Sequence, residues 1–133
     1  MKPSLLDTDT ISFHLKGKAT VTAQIDAYLL EYDALNISVV TYYEIMNGLL
    51  YLDARRQLKD FEKLVSVSRI FPLTIEIALR AAEIFADLRR SRQEIGHTDV
   101  LIAATALHHG LIVVSNNQSH FSRITDLPLD NWL

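Results

Sequence analysis

Four side chains able to ligate through oxygen stand beside apolar or β-branched runs. Asp7 follows Ser4-Leu5-Leu6, Glu44 follows Val39-Val40-Thr41, and Asn117 follows Ile112-Val113-Val114, while Asp99 sits in the first turn of a helical stretch opening near Gly96. Three carboxylates brought within a few ångströms of one another repel, and one would take up a proton unless a cation lay between them. Carboxylate and amide oxygens, with no cysteine and no histidine cluster, suit a hard divalent ion, Mg²⁺ or Mn²⁺, better than zinc. An ion held by Asp7 and Asp99 would orient and acidify a water for in-line attack on a phosphodiester, with Glu44 binding the metal or placing that water. Taken one at a time, the same residues also read as helix caps and dipole partners.

The elements that must position these groups are legible as runs and periods. Ser4 to Leu6, Leu35 to Val40 and Leu111 to Val114 read as buried strands, and Ile70 to Leu73 reads as an edge or strand end because of Pro72. Helical spacing runs through Val21, Ile25, Tyr28 and Leu29; through Ile45, Leu49 and Leu52; and through Leu58, Phe61, Leu64 and Val65. Two further helices are expected, Ile75 to Leu88 with basic residues at its end and Gly96 or Thr98 to His109 closed by Gly110. Strands alternating with helices predict a three-layer α/β/α fold around a mostly parallel sheet of four to five strands. In such sheets the ligand crevice lies beyond the carboxyl ends of the strands, which is where Asp7, Glu44 and Asn117 fall.

At 133 residues and 49% hydrophobic, with 4 Gly, 3 Pro and no internal repeat, residues 1–133 are expected to form a single domain with one continuous packed body. The absence of cysteine excludes disulfides and thiolate metal sites. No apolar run near the N-terminus reaches the length of a signal peptide or membrane helix, so a cytoplasmic, membrane-free protein is expected. The formal net charge of −3 denies the chain a global positive field for nucleic acid, although a bound divalent ion would supply positive charge locally.

Four strings occur in register: Leu5-Leu6-Asp7-Thr8-Asp9, Ser38-Val39-Val40-Thr41-Tyr42-Tyr43-Glu44, Gly96 to Ala104 with Asp99-Val100-Leu101-Ile102-Ala103-Ala104, and Ser115-Asn116-Asn117. Together they resemble the PIN domain, specifically its VapC-like branch, over almost the whole chain. The resemblance implies a Mg²⁺- or Mn²⁺-dependent endoribonuclease, the toxin of a toxin–antitoxin pair, with Asp7, Glu44 and Asp99 as its acidic centre. It further implies an RNA substrate, a homodimer, and a VapB-like antitoxin that covers the active groove and binds operator DNA through its other end. Two positions depart from the family pattern: a fourth acidic position is here Asn117, which keeps an oxygen without the charge, and the residue two after the first aspartate is Asp9. Asn117 is therefore given a supporting role. Thr8 and Ser115 would offer hydroxyls at the rim toward substrate, where a turn or cap role is equally open.

Other residues are set aside. His108 and His109 are adjacent on a helix, point about 100° apart and cannot share an ion. His97 and His120 lie near the proposed groove and are read as structural; Trp132, Tyr42, Tyr43 and Tyr51 are assigned to the core or a dimer face. Asp7-Thr8-Asp9 also resembles the nucleophile motif of haloacid-dehalogenase-like phosphatases, but that chemistry needs a late lysine and no lysine follows Lys63. A non-catalytic binding module with this fold is the remaining alternative, favoured by Asn117 and opposed by the three carboxylates.

Overall fold

Short β-branched and apolar runs form strands when both their faces are covered, and the chain is built on that rule. The computed structural model describes residues 1–133. Its elements run β1 (Ser4–Leu6), α1 (Thr8–Leu15), α2 (Ala19–Glu31), β2 (Leu35–Ser38), α3 (Val39–Tyr51) and α4 (Arg55–Ser66). They continue with β3 (Ser68–Phe71), α5 (Ile75–Arg90), α6 (His97–His109), β4 (Ile112–Val114), α7 (Gln118–Phe121) and β5 (Leu129–Asp130). The five strands form one sheet in the order β3-β2-β1-β4-β5, and every pair is parallel.

Alternate residues of each strand serve opposite layers. Leu5 and Val113 pack with Ile77 of α5, Ile102 of α6 and Phe121 of α7. Their neighbours Leu6 and Val114, with Leu35 and Ile37, pack with Ile11 of α1, Tyr28 of α2, Ile45 of α3 and Phe61 of α4. The expected three-layer α/β/α arrangement is thus present, with two cores separated by the sheet. No helix is long and apolar enough to cross a membrane.

The strand order reverses direction between β1 and β4, so the connections leaving these two strands diverge and open a crevice at their carboxyl ends. Asp7 closes β1 there, its N–H donating to Val114 O at 3.1 Å, and Ser115 follows β4. As expected, β3 is an edge strand, ending at Phe71 just before Pro72, although it begins at Ser68 rather than Ile70. Gly110 closes α6 in the left-handed region at φ +67°, a conformation that disfavours any side chain.

The expected strand from Leu35 stops at Ser38, and Val39, Val40 and Thr41 form the first turn of α3. Ser38 is extended, and its Oγ accepts from Thr41 N at 3.0 Å. That cap, together with burial of Thr41, Ile45 and Leu49 on one helical face, outweighs the β preference of two valines. Glu44 therefore stands in the second turn of α3 rather than directly after a strand. Three elements had no counterpart in the expectations: α1, the 4-residue α7 and the 2-residue β5.

Candidate active site

Asp7 is the N-cap of α1. Its carboxylate accepts from Thr10 N at 2.8 Å, and it is only 3% exposed. Burial pushes its pKa from 3.8 up to about 6, against the lowering pull of hydrogen bonds from the Ser115 hydroxyl and the Thr10 N–H, while the charge of exposed Asp9 adds to the rise. No lysine or arginine pairs with Asp7, Glu44 or Asp99. A carboxylate this buried, with no counter-charge from its own chain, marks the crevice as a place where a positive group would be gained.

The remaining groups reach Asp7 from both sides. Thr8 Oγ1 donates to Glu44 Oε1 at 2.6 Å and lies 3.1 Å from Thr41 Oγ1, which ties α1 to α3. Thr41 is in turn held by Ser38, with a hydroxyl–hydroxyl distance of 3.3 Å. On the other side, Asn117 N donates to Ser115 Oγ at 2.8 Å. The Asn117 side-chain amide lies 2.8 Å from His120 Nδ1, and the same nitrogen is 3.2 Å from Asp99 Oδ2. Polar contacts thus flank Asp7 on both sides of the crevice, Glu44 with Thr8 on one and Ser115, Asn117, His120 and Asp99 on the other.

His120 orders the far end of that run. Donation from Nδ1–H to the Asp99 carboxylate leaves no lone pair on Nδ1, so the Asn117 amide would then turn its oxygen to the ring. Asp99 itself stands in the first turn of α6 beneath Gly96, which provides no side-chain cap. There the partial positive charge of the helix end favours its carboxylate. Sequence reasoning had treated His120 as structural and had not singled out Thr10 or Thr41. The three-residue step from Asn117 to His120 on a helix start was the available signal for the first; the other two act through contacts with distant segments.

The structure places all six residues singled out for the site at the carboxyl edge of the sheet. It links Glu44 to Thr8, Asp7 to Ser115, and Asp99 through His120 to Asn117. It does not draw three acidic or histidine side chains into a finished cage for an ion. The donor set is all oxygen, one carboxylate is buried without a counter-ion, and Asp99 and Glu44 are partly solvated. These properties fit a hard cation that keeps most of its own water and takes few protein ligands. Of the histidines set aside, His97 stacks on Phe85 at 4.2 Å, and His109 lies against Phe71 at 4.2 Å and edge-on to His108. Trp132 and Tyr42 pack with the α1–α4 core, whereas Tyr43 and Tyr51 are 65% and 86% exposed and do not.

The family model for the PIN domain matches residues 4–127. The tRNA(fMet)-specific endonuclease VapC of Salmonella typhimurium is 30% identical over 129 residues, covering 96% of this chain and 96% of the relative. Ribonuclease VapC1 of Haemophilus influenzae is 28% identical over the same length, with 96% of each covered. Among solved structures, a chain of the DNA-bound VapBC from Salmonella typhimurium superposes with a TM-score of 0.88 at 29% identity, with 100% of both chains covered. VapBC2 from Rickettsia felis, bound to a DNA fragment from its promoter, has the same fold, with a TM-score of 0.88 at 22% identity and 98% of each chain covered. This chain belongs to the PIN-domain family, in its VapC-like branch.

Proposed function

We propose that this protein is a metal-dependent endoribonuclease, the toxin of a toxin–antitoxin pair, and that its active site is the crevice beyond β1 and β4. The observation that carries the reading is Asp7: a nearly buried carboxylate with no cationic partner, standing where the sheet's connections diverge. Asp7, Asp99 and Glu44 would hold Mg²⁺ or Mn²⁺. Bound there, the ion would lower the pKa of a water near the scissile phosphate and offset the charge of the ester.

The chain's own residues would supply orientation. Ser115 and the Thr10 N–H fix the Asp7 carboxylate, Thr8 holds the Glu44 carboxylate, and His120 steadies Asp99 while Asn117 closes the contact from the loop after β4. Thr8 and Ser115 are thereby occupied inside the crevice, so their part in substrate binding would be indirect. Asn117 acts in support, lending an amide where a fourth charge would raise repulsion.

A VapB-like antitoxin is the expected partner, since chains of this fold recur in VapBC complexes, including the Salmonella typhimurium complex bound to DNA. Contact with operator DNA would come through that antitoxin, the toxin itself forming a homodimer in the cytoplasm. The phosphatase reading lacks its lysine, because none follows Lys63. The test is incubation of purified, antitoxin-free protein with labelled structured RNA and with a phosphomonoester, in Mg²⁺, Mn²⁺ or chelator. RNA cleavage that chelator abolishes, and that Asp7→Asn and Asp99→Asn each reduce at least a hundredfold without unfolding, is expected. Phosphomonoester turnover alone, inactivity toward both, or full RNA cleavage by either variant would overturn the assignment.

A further inference from the structure

The acidic crevice continues into a groove. From Thr8 and Glu44 a channel of about 200 Å³ follows the junction of α1 and α3 to Lys16 and Gln57. It shares Leu15, Lys16 and Gln57 with a larger cavity of about 630 Å³ between α1, α2 and α4, where Arg56 and Lys63 stand. Thr8, Ser12, Leu15 and Lys16 fall on one face of α1 by their spacing, and that face carries the groove about 12 Å away from the acidic end.

Gly48, in the interior of α3, forms part of the opposite wall. A glycine inside a helix costs stability relative to alanine, so its presence calls for a reason. Its backbone is not in the left-handed region, and a Cβ there would meet no atom within 4 Å, so neither conformation nor internal packing requires it. The space it leaves belongs to the groove, one helical turn from Glu44. The cations along this path are free: Lys16, Arg56 and Lys63 are exposed and form no ion pair, although Asp26 and Asp60, which act on His14, line the same cavity. Ser12 and Gln57 add a hydroxyl and an amide, both partly exposed. In a chain of net charge −3, unpaired cations gathered along a groove that opens on the acidic crevice mark where a polyanion would be held.

We propose that this groove is the track along which an RNA strand leaves the crevice, its phosphates set against Lys16, Arg56 and Lys63 and its backbone passing over Gly48. The placement rests on the nuclease reading, because the crevice fixes one end of the strand. Contacts of this kind hold a strand in register without reading its sequence. Gly48 then has its reason: a side chain there would stand in the path of the strand.

The test uses the full-length protein free of antitoxin and a labelled single-stranded RNA of mixed sequence, in chelator, so that fluorescence anisotropy reads binding without cleavage. Lys16→Ala, Arg56→Ala and Lys63→Ala are each expected to weaken binding about fivefold and to lower its salt dependence by about one phosphate contact. Arg80→Ala, on α5 in the opposite layer, removes the same charge and should leave binding unchanged. Gly48→Leu, which fills the track, should raise the melting temperature and still weaken binding about tenfold. In Mg²⁺ the four groove substitutions should raise KM for RNA cleavage and leave kcat within about twofold. RNA that binds with this dependence but is never cleaved would refute the nuclease reading and leave the groove standing as an RNA-binding track. Chelator-sensitive cleavage with binding indifferent to all four substitutions would overturn the track alone. Equal weakening by Arg80→Ala would overturn it as well, and so would groove-dependent binding of a glutamate decapeptide without binding of RNA, which would assign the groove to an acidic protein segment.

Discussion

Replacing Asp7 with asparagine should make the protein more stable at neutral pH while removing its chemistry. In the folded chain the carboxyl pKa is raised by burial from 3.8 to about 6. A folded-state pKa above the unfolded value means that the native state holds its proton more tightly. The contribution of Asp7 to stability is therefore greatest below pH 4, falls as pH rises between about 4 and 6, and levels off above that. The raise of about two units corresponds to roughly 3 kcal/mol of strain on the ionised form at pH 7, since each unit is worth about 1.4 kcal/mol. Asp7→Asn keeps an oxygen for the Thr10 N–H and lets the Ser115 hydroxyl accept from the new amide, so most of that strain should disappear. In a chain of this length the gain is a rise in melting temperature on the order of 10 °C. The measurement is thermal unfolding of both forms from pH 4 to 8 in chelator, and then with Mg²⁺. The parent should lose stability across the acid range while the variant stays flatter, and Mg²⁺ should stabilise the parent at pH 7 but neither the parent at pH 4 nor the variant. A variant no more stable than its parent at pH 7, with an unchanged pH profile, would refute the account of Asp7 as a buried charge awaiting a cation.

Three further substitutions probe the supports. Thr8→Val removes the hydroxyl 2.6 Å from Glu44 Oε1, and RNA cleavage in single-turnover assays should fall about tenfold with little change in melting temperature. Ser38→Ala deletes the cap of α3 and should destabilise the fold by about 1 kcal/mol in a denaturant titration. Gly110→Ala places a side chain at φ +67° where no atom lies within 4 Å, so a loss of about 1 kcal/mol in the same titration would come from the backbone alone.

The layered architecture was legible because Leu5 and Leu6, and likewise Val113 and Val114, are apolar on both sides, as strands covered on both faces must be. Asp7 and Asp99 were legible because each adjoins such a run or opens a strongly apolar helix. The α1 helix was not: Thr8-Asp9-Thr10 reads as a polar turn, and only the Asp7 cap and burial of Thr10 and Ile11 make it helical. Val39 and Val40 carried a strand signal that a serine cap reversed. β5 has too few residues for any period to register, and its place beside β4 is set by pairing Val113 with Leu129 across the chain. His120 could be placed near the groove but was read as structural, because its partner is a carboxylate twenty-one positions away.

The crevice draws its walls from two separately packed bodies. Asp7, Thr8 and Glu44 ride on helices anchored to one side of the sheet, while Asp99 and His120 ride on helices anchored to the other. The gap between the two carboxylate sets therefore behaves like the opening of a caliper, its width fixed by how thickly each body is stuffed. Trimming a large ring such as Phe61, which is fully buried and packs on Tyr42 of α3, would let one jaw settle inward. Such a protein could stay folded yet no longer span an ion and its substrate, so selection on catalysis would reach residues that never approach the reacting atoms.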